Sequence, residues 1–206
     1  MSKMYEQYQS HVPEGSSGNW RIERFTVSEE EASFQNVRAS FSFSSSGQYI
    51  ESGTYTRLMR GGTVVMSDTP SEIRDHIYFI YKANGNVLIG GLGLGVVVEA
   101  CLEKDEVDHV TVIEISEDVI KLVGGYLKEK YGDRFTIIHA DLLKWRPDKG
   151  QTWDCAWYDI WDNICTDNLP EITKIKRKMG RRTSFQEAWR EEDLRYRKRQ
   201  EKRQGW

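Results

Sequence analysis

Val87-Leu88-Ile89-Gly90-Gly91-Leu92-Gly93-Leu94-Gly95 is the stretch that decides the fold. Its apolar half reads as a strand of a parallel sheet buried on both faces. Its glycines let the strand end turn sharply and let backbone come close to a ligand. The helix they open offers free N–H groups and a positive dipole end to an anion. The next apolar run, Val110-Thr111-Val112-Ile113-Glu114, ends in a carboxylate 23 residues after Gly91. A carboxylate ending that strand is placed to accept hydrogen bonds from ribose hydroxyls. The two segments together describe a site for a nucleoside that carries a negative group.

The glycine spacing narrows the ligand. A dinucleotide fingerprint needs glycine or alanine at the third position of G-x-G-x-x-G. That position is Val96 or Val98, depending on which glycine is counted first, and neither fits. The motif present is G-x-G-x-G, through Gly91, Gly93 and Gly95. It resembles the first motif of class I S-adenosylmethionine-dependent methyltransferases. An ordinary strand-to-helix turn also uses glycine, and the distance to Glu114 is what favours a ligand. The resemblance implies an α/β, Rossmann-like fold with a mostly parallel sheet and S-adenosyl-L-methionine as cofactor. It places the methionine carboxylate at the glycine turn and the ribose at Glu114, beside Ile115. It also puts the adenine at Asp141 and Leu142, which come after the β-branched run Phe135-Thr136-Ile137-Ile138-His139. Asp141 also reads as a helix N-cap, and the two roles are compatible.

The fourth apolar run, Trp153 to Tyr158, sharpens the resemblance. Asp154, Asp159 and Asp162 stand in a D-x-x-x-x-D-x-x-D spacing. This is similar to polyamine aminopropyltransferases, the spermidine synthase family, over about residues 54–162. That likeness implies that Asp159 takes a proton from an attacking amine and that Asp162 helps hold a cationic acceptor. Independently of family, a carboxylate at the carboxyl edge of such a sheet can deprotonate a nucleophile. Loop and capping roles are the alternative for both residues. Upstream, Thr54–Met59 and Thr63–Met66 read as a hairpin. Thr69, Pro70 and Glu72 then read as a capping box opening a helix with an Ile73, Ile77, Ile80 stripe. Glu72, Asp75 and His76 on that helix are candidates to face the acceptor, with a purely structural role the stronger reading for His76. Two features depart from aminopropyl transfer. Leu94 stands where that family carries an aspartate for the aminopropyl ammonium, and Asn163-Ile164 succeeds Asp162 in place of proline and glycine. The expected activity is therefore methyl transfer to a small, amine-bearing acceptor, catalysed through Asp159, Asp162 and Glu72. Aminopropyl transfer and non-catalytic binding are the alternatives.

With 206 residues and 38% hydrophobic content, one α/β domain with extensions is expected. The organisation reads as a flexible polar N-terminus over 1–19, then a strand, helix and hairpin extension over 20–82. A nucleotide-binding core over 83–163 and a basic helical extension over 164–206 complete it. Within the first extension, Trp20–Val27 reads as a strand, Ser28 opens a helix, and Phe41-Ser42-Phe43-Ser44 alternates as a strand. Ser116 caps a helix that runs to about Tyr131. After Asp162 no strand is evident. Thr183-Ser184-Phe185-Gln186 reads as a second capping box, so the sheet is expected to stop after four core strands with helices covering its edge.

No apolar run approaches the ~20 residues of a membrane span, and the polar first residues are not a signal peptide. Three cysteines fit a reducing cytoplasm, and no Cys/His spacing suggests a metal site. The charge is segregated. Residues 174–206 hold 13 Lys+Arg against 5 Asp+Glu, so residues 1–173 carry −11 of a chain whose net charge is −3. The basic end admits nucleic acid as a partner, but a solvated helix balancing an acidic body is the favoured reading. A homodimer is compatible with all of this.

Overall fold

The computed structural model describes residues 3–40 and 49–203. The chain begins with a short helix α1 (Lys3–Glu6) and strands β1 (Gly15–Ser17) and β2 (Trp20–Val27). Helix α2 (Glu29–Ser40), β3 (Gly53–Arg60), β4 (Thr63–Ser67) and α3 (Pro70–Lys82) come next. The core then runs β5 (Gly85–Gly90), α4 (Val96–Leu102), β6 (Val107–Glu114), α5 (Glu117–Val119), a π-helical turn (Ile120–Gly124) and α6 (Gly125–Tyr131). It ends with β7 (Phe135–His139), β8 (Trp153–Tyr158), α7 (Asn168–Met179), β9 (Thr183–Ala188) and α8 (Glu191–Arg203). The alternating run Phe41–Ser44 lies outside the described residues.

Two sheets result. Strands β1-β2-β3-β4 form an antiparallel sheet, and β7-β6-β5-β8-β9 form a second sheet whose pairings are all parallel. In that order the chain steps outward through β5, β6 and β7. It then returns to the other side of β5 for β8 and β9. This is the doubly wound α/β arrangement, which leaves a crevice at the carboxyl ends of the strands where the direction reverses. The fold is Rossmann-like, as the glycine stretch implied.

Alternation along β5 assigns its faces. Val87 and Ile89 join α3, α4 and the 117–131 helical stretch in one core. Leu88 joins Ile113, Ala156 and Tyr158 under α7, with Leu169, Ile172, Ile175 and Met179 filling the other side. Both faces are covered, which is why Val87, Leu88 and Ile89 are all apolar.

Four expectations are corrected. The sheet does not stop after the fourth strand, because Thr183–Ala188 is β9, with Cys155 opposite Phe185 and Tyr158 opposite Ala188. The segment is polar because it is an edge strand. Its Thr-x-x-Gln resembles a helix cap locally, but pairing with β8 and the stacking of Phe185 on Phe79 override that preference. The N-terminal segment is tied down instead of loose. Ser10 donates from its N–H to Asp68 and from its hydroxyl to the Leu94 carbonyl, Val12 is fully buried, and β1 pairs with β2. At α3, Thr69 is the N-cap and Pro70 the first residue, but Thr69 makes no side-chain cap bond. Glu72 turns to Ser67 instead, accepting from its N–H and its hydroxyl at 2.7 Å each. The helix after Ser116 is capped as expected, with Ser116 Oγ accepting from Val119 N–H, but its middle is a π turn ending at Gly124. The capping box itself is realised at α2, where Ser28 and Glu31 exchange side-chain to backbone bonds.

Candidate functional site

A cleft of about 890 Å³ opens at the carboxyl ends of β5, β6 and β8, between the glycine turn, α3 and the β3–β4 hairpin. Its two halves are built differently.

The first half comprises the glycine turn and the segments after β6 and β7. Gly91 has φ of 93° and its N–H bonds the Ile113 carbonyl at 2.9 Å. A Cβ on Gly91 would run into the carbonyl oxygen of Asp159, and one on Gly93 (φ 53°) into the Met66 sulfur. Only glycine serves at either position. Glu114 is 7% exposed and both its oxygens accept backbone N–H groups, from Leu92 at 2.8 Å and from Ser116 at 2.7 Å. The carboxylate thus joins the turn after β5 to the turn after β6. Each oxygen keeps a further lone pair for a ligand hydroxyl. Ile115, 64% exposed, and Asp141 line the same half. Asp141 performs the local role read from sequence, accepting from Leu143 N–H at 2.9 Å. Lys144, 3.0 Å away, is the main reason its carboxyl sits below the usual carboxylate range. Leu142 is buried under the end of β5 and borders the cleft. Gly95 does not border it. With φ of 75°, Gly95 caps α4 and leaves room for Val123 and Leu127. Leu94 is likewise fully buried.

The second half gathers side chains from distant segments. Asp159 comes directly after β8 and is fixed by its N–H to the Gly90 carbonyl at 2.8 Å. Its carboxylate stands 3.6 Å from Nε2 of His76, which is buried with its ring edge-on to Trp157 at 5.5 Å. Nδ1 of His76 has no hydrogen-bond partner. Glu72, one turn earlier on α3, is pushed up by burial, against the pull of its bonds from Ser67, and the charge of Asp159 adds to the rise. Burial also raises Asp75, which accepts from the Trp189 indole at 3.2 Å and lies 3.8 Å from Arg190. Asp162 stands at the rim, paired with Arg60. Asp154 is not part of the cleft. It accepts from Asn86 N–H at 2.8 Å, at the opposite end of the strands, and is structural.

The structure therefore brings Glu72, Asp75, His76 and Asp159 together, with Asp162 at the edge. Sequence reading missed Arg60, Trp189 and Arg190. Trp189 and Arg190 reach the cleft because β9 ends beside β8, where Trp189 N–H bonds the Tyr158 carbonyl at 2.9 Å. Arg190 adopts φ of 48°, unusual for a residue with a side chain. Recognising β9 would have found both residues. Nothing local marks Arg60. Among the described residues, no group of His, Cys, Asp and Glu has the arrangement of a metal site, and no helix is long and apolar enough to cross a membrane.

No family model matches the chain. A polyamine aminopropyltransferase of Prochlorococcus marinus (strain MIT 9515) is 33% identical over 94 residues, 43% of this chain and 33% of that enzyme. The chain thus spans about a third of the length of the curated relative it matches. Among solved structures, the CcbJ methyltransferase of Streptomyces caelestis is 18% identical, with 53% of this chain and 44% of that one covered and a TM-score of 0.43. A DhpI-SAM-HEP complex is 19% identical, covering 55% and 49%, with a TM-score of 0.42.

Proposed function

We propose that this chain is an S-adenosylmethionine-binding transferase that moves a methyl group to a small, amine-bearing acceptor. One observation carries the reading. The glycine turn is fixed to both candidate partners of the reaction: Leu92 N–H bonds Glu114, and Gly91 abuts the Asp159 backbone. The ribose acceptor and the candidate base are thereby held at a constant separation, which is what catalysis by positioning needs. The donor set suits the cofactor. Glu114 has lone pairs for two vicinal hydroxyls, Ile115 offers an apolar flank, and Asp141 with the Leu142 N–H can pair an adenine edge. The missing Cβ atoms at Gly91 and Gly93 leave backbone open to the methionine end.

The cofactor would supply an electrophilic methyl carbon on a sulfonium. Asp159 would orient the acceptor nitrogen toward that carbon and take the proton the nitrogen gives up on alkylation. His76 Nε2 stands 3.6 Å from the Asp159 carboxylate, on the side of α3. Glu72, raised by burial, is suited to accept a hydrogen bond from an ammonium or to donate one when protonated. Asp162, engaged by Arg60, closes the rim.

Aminopropyl transfer is the second reading, favoured by the 33% identity to a polyamine aminopropyltransferase. Product analysis separates the two. Incubation with S-adenosylmethionine and a panel of polyamines and small amines should yield S-adenosylhomocysteine, and the decarboxylated form with the same panel should yield no methylthioadenosine. Methylthioadenosine would establish aminopropyl transfer instead, and binding without either product would leave a non-catalytic binding protein.

A further inference from the structure

The basic C-terminal residues, which the cleft chemistry does not use, have a definite arrangement. The first turn of α8 is self-neutralised: Glu191 holds Lys176 and Arg195, and Asp193 holds Arg190. The rest of the helix is not. Arg197, Lys198, Arg199, Lys202 and Arg203 are all exposed, and none makes an ion pair with a described residue. A helix dipole accounts for one or two cations in a last turn, not five in seven residues. Arg197 borders the cleft. On α7, Lys174, Arg177 and Arg181 beyond its end are exposed and likewise without ion pairs among the described residues. Lys178 donates to the Leu142 and Trp145 carbonyls, which ties this second basic group to the segment after β7, whose Asp141, Leu142 and Leu143 line the cleft. The ammonium of Lys178 is pushed down by burial and then by Lys174 and Arg146, a sign of concentrated positive field.

We propose that these two basic groups form a docking track for the phosphate backbone of a single-stranded nucleic acid, running past the cleft mouth. A lipid surface fits poorly, because the apolar residues of α8 are Leu194, which is buried in the protein, and Tyr196. Tyr196, 57% exposed between Arg195 and Arg197, gives a base a face to stack on. Two of the cleft's carboxylates face cations, Asp162 pairing with Arg60 and Asp75 lying 3.8 Å from Arg190. The inference concerns binding and stands apart from the transfer reaction.

Fluorescence anisotropy with labelled 20-nucleotide oligo(U) and oligo(dT), titrated from 50 to 200 mM salt, tests it. Eight phosphate contacts, one for each unpaired cation of the two groups, predict a slope of log K on log salt of about −5.6. The variant Lys198→Gln/Arg199→Gln/Lys202→Gln/Arg203→Gln changes only exposed positions. It should lower the slope magnitude by about 3 and the affinity at low salt by about tenfold or more, with S-adenosylhomocysteine binding unchanged. Arg177→Gln/Arg181→Gln should lower the slope by about 1, reporting the second arm. Absence of wild-type binding at 50 mM salt, or an unaltered slope in the fourfold variant, overturns the proposal. So does binding to vesicles of phosphatidylserine and phosphatidylcholine, lost in that variant, without binding to oligonucleotide.

Discussion

The two halves of the cleft hold their carboxylates in opposite ways. In the glycine-turn half, Glu114 is held by backbone alone, through N–H groups of Leu92 and Ser116. In the other half, carboxylates face side chains from remote segments: Asp159 lies 3.6 Å from His76, Asp75 meets Trp189 and Arg190, and Asp162 pairs with Arg60. Backbone donors depend on chain path and survive most substitutions. Side-chain partners can be exchanged one at a time without altering the fold. The first half is thus a fixed platform, and under the proposed function the second is where acceptor and reaction would be set.

The sharpest way to break this contrast is Asp159→Asn. It preserves shape and removes the base, so single-turnover transfer should fall by about 100-fold or more while the melting curve moves little. A fully active Asp159→Asn protein would take Asp159 out of the mechanism.

Glu114→Ala probes the platform. Losing a charge-assisted pair of ligand bonds costs about 1.5–3 kcal/mol, roughly tenfold or more in affinity for S-adenosylhomocysteine by titration calorimetry. Unlike Asp159→Asn, it should also lower the melting temperature, because two backbone donors lose their acceptor. Unchanged affinity in a folded variant would detach the ribose from Glu114.

The cofactor's own tail joins the halves. The turn Gly90–Gly95 holds no carboxylate to meet an aminopropyl ammonium, and Gly91 and Gly93 bare its backbone toward the cleft, so S-adenosylmethionine should outcompete its decarboxylated form by about tenfold, one charge-assisted hydrogen bond. A preference for the decarboxylated compound would put aminopropyl transfer first.

The smallest effect concerns stability. Burial raises the Glu72 carboxyl above its ordinary value, so ionising it costs the folded state more than the unfolded one. That cost is fully present above the raised pKa and vanishes below the ordinary one. Glu72→Gln should therefore raise the melting temperature at pH 7–8 by about 2–4 °C, the response to ~1 kcal/mol in a domain of this size. Near pH 3.5 the variant and wild type should melt together. A destabilised variant at neutral pH would show that the charge itself is needed, for the bonds from Ser67.

The platform could be read from sequence because its information is contiguous. A glycine turn requires glycine for steric reasons that travel with the motif, and Glu114 stands at the distance set by one helix and one strand. Hairpin β3–β4, strand β2 and the Ser28 and Ser116 caps could be read for the same reason, since each depends on neighbours a few residues away. Asp159 and Glu72 could be named together only through the family resemblance, because α3 and the end of β8 are brought together by tertiary packing, including that of His76 and Phe79 on Trp157.

By itself the sequence determined a buried parallel strand, its glycine turn and the carboxylate that closes it, which rest on apolar periodicity and backbone sterics; the Rossmann-like α/β fold followed from the resemblance these residues carry. Tertiary structure alone decided that Thr183–Ala188 is a fifth parallel strand, that the N-terminal segment is pinned over the Leu94 carbonyl, and that Arg60, Trp189 and Arg190 reach the cleft. An edge strand of polar residues carries too little local preference to announce itself. It exists because β8 presents unpaired backbone groups, and pairing them is worth more than the helix cap that Thr183 to Gln186 would otherwise make.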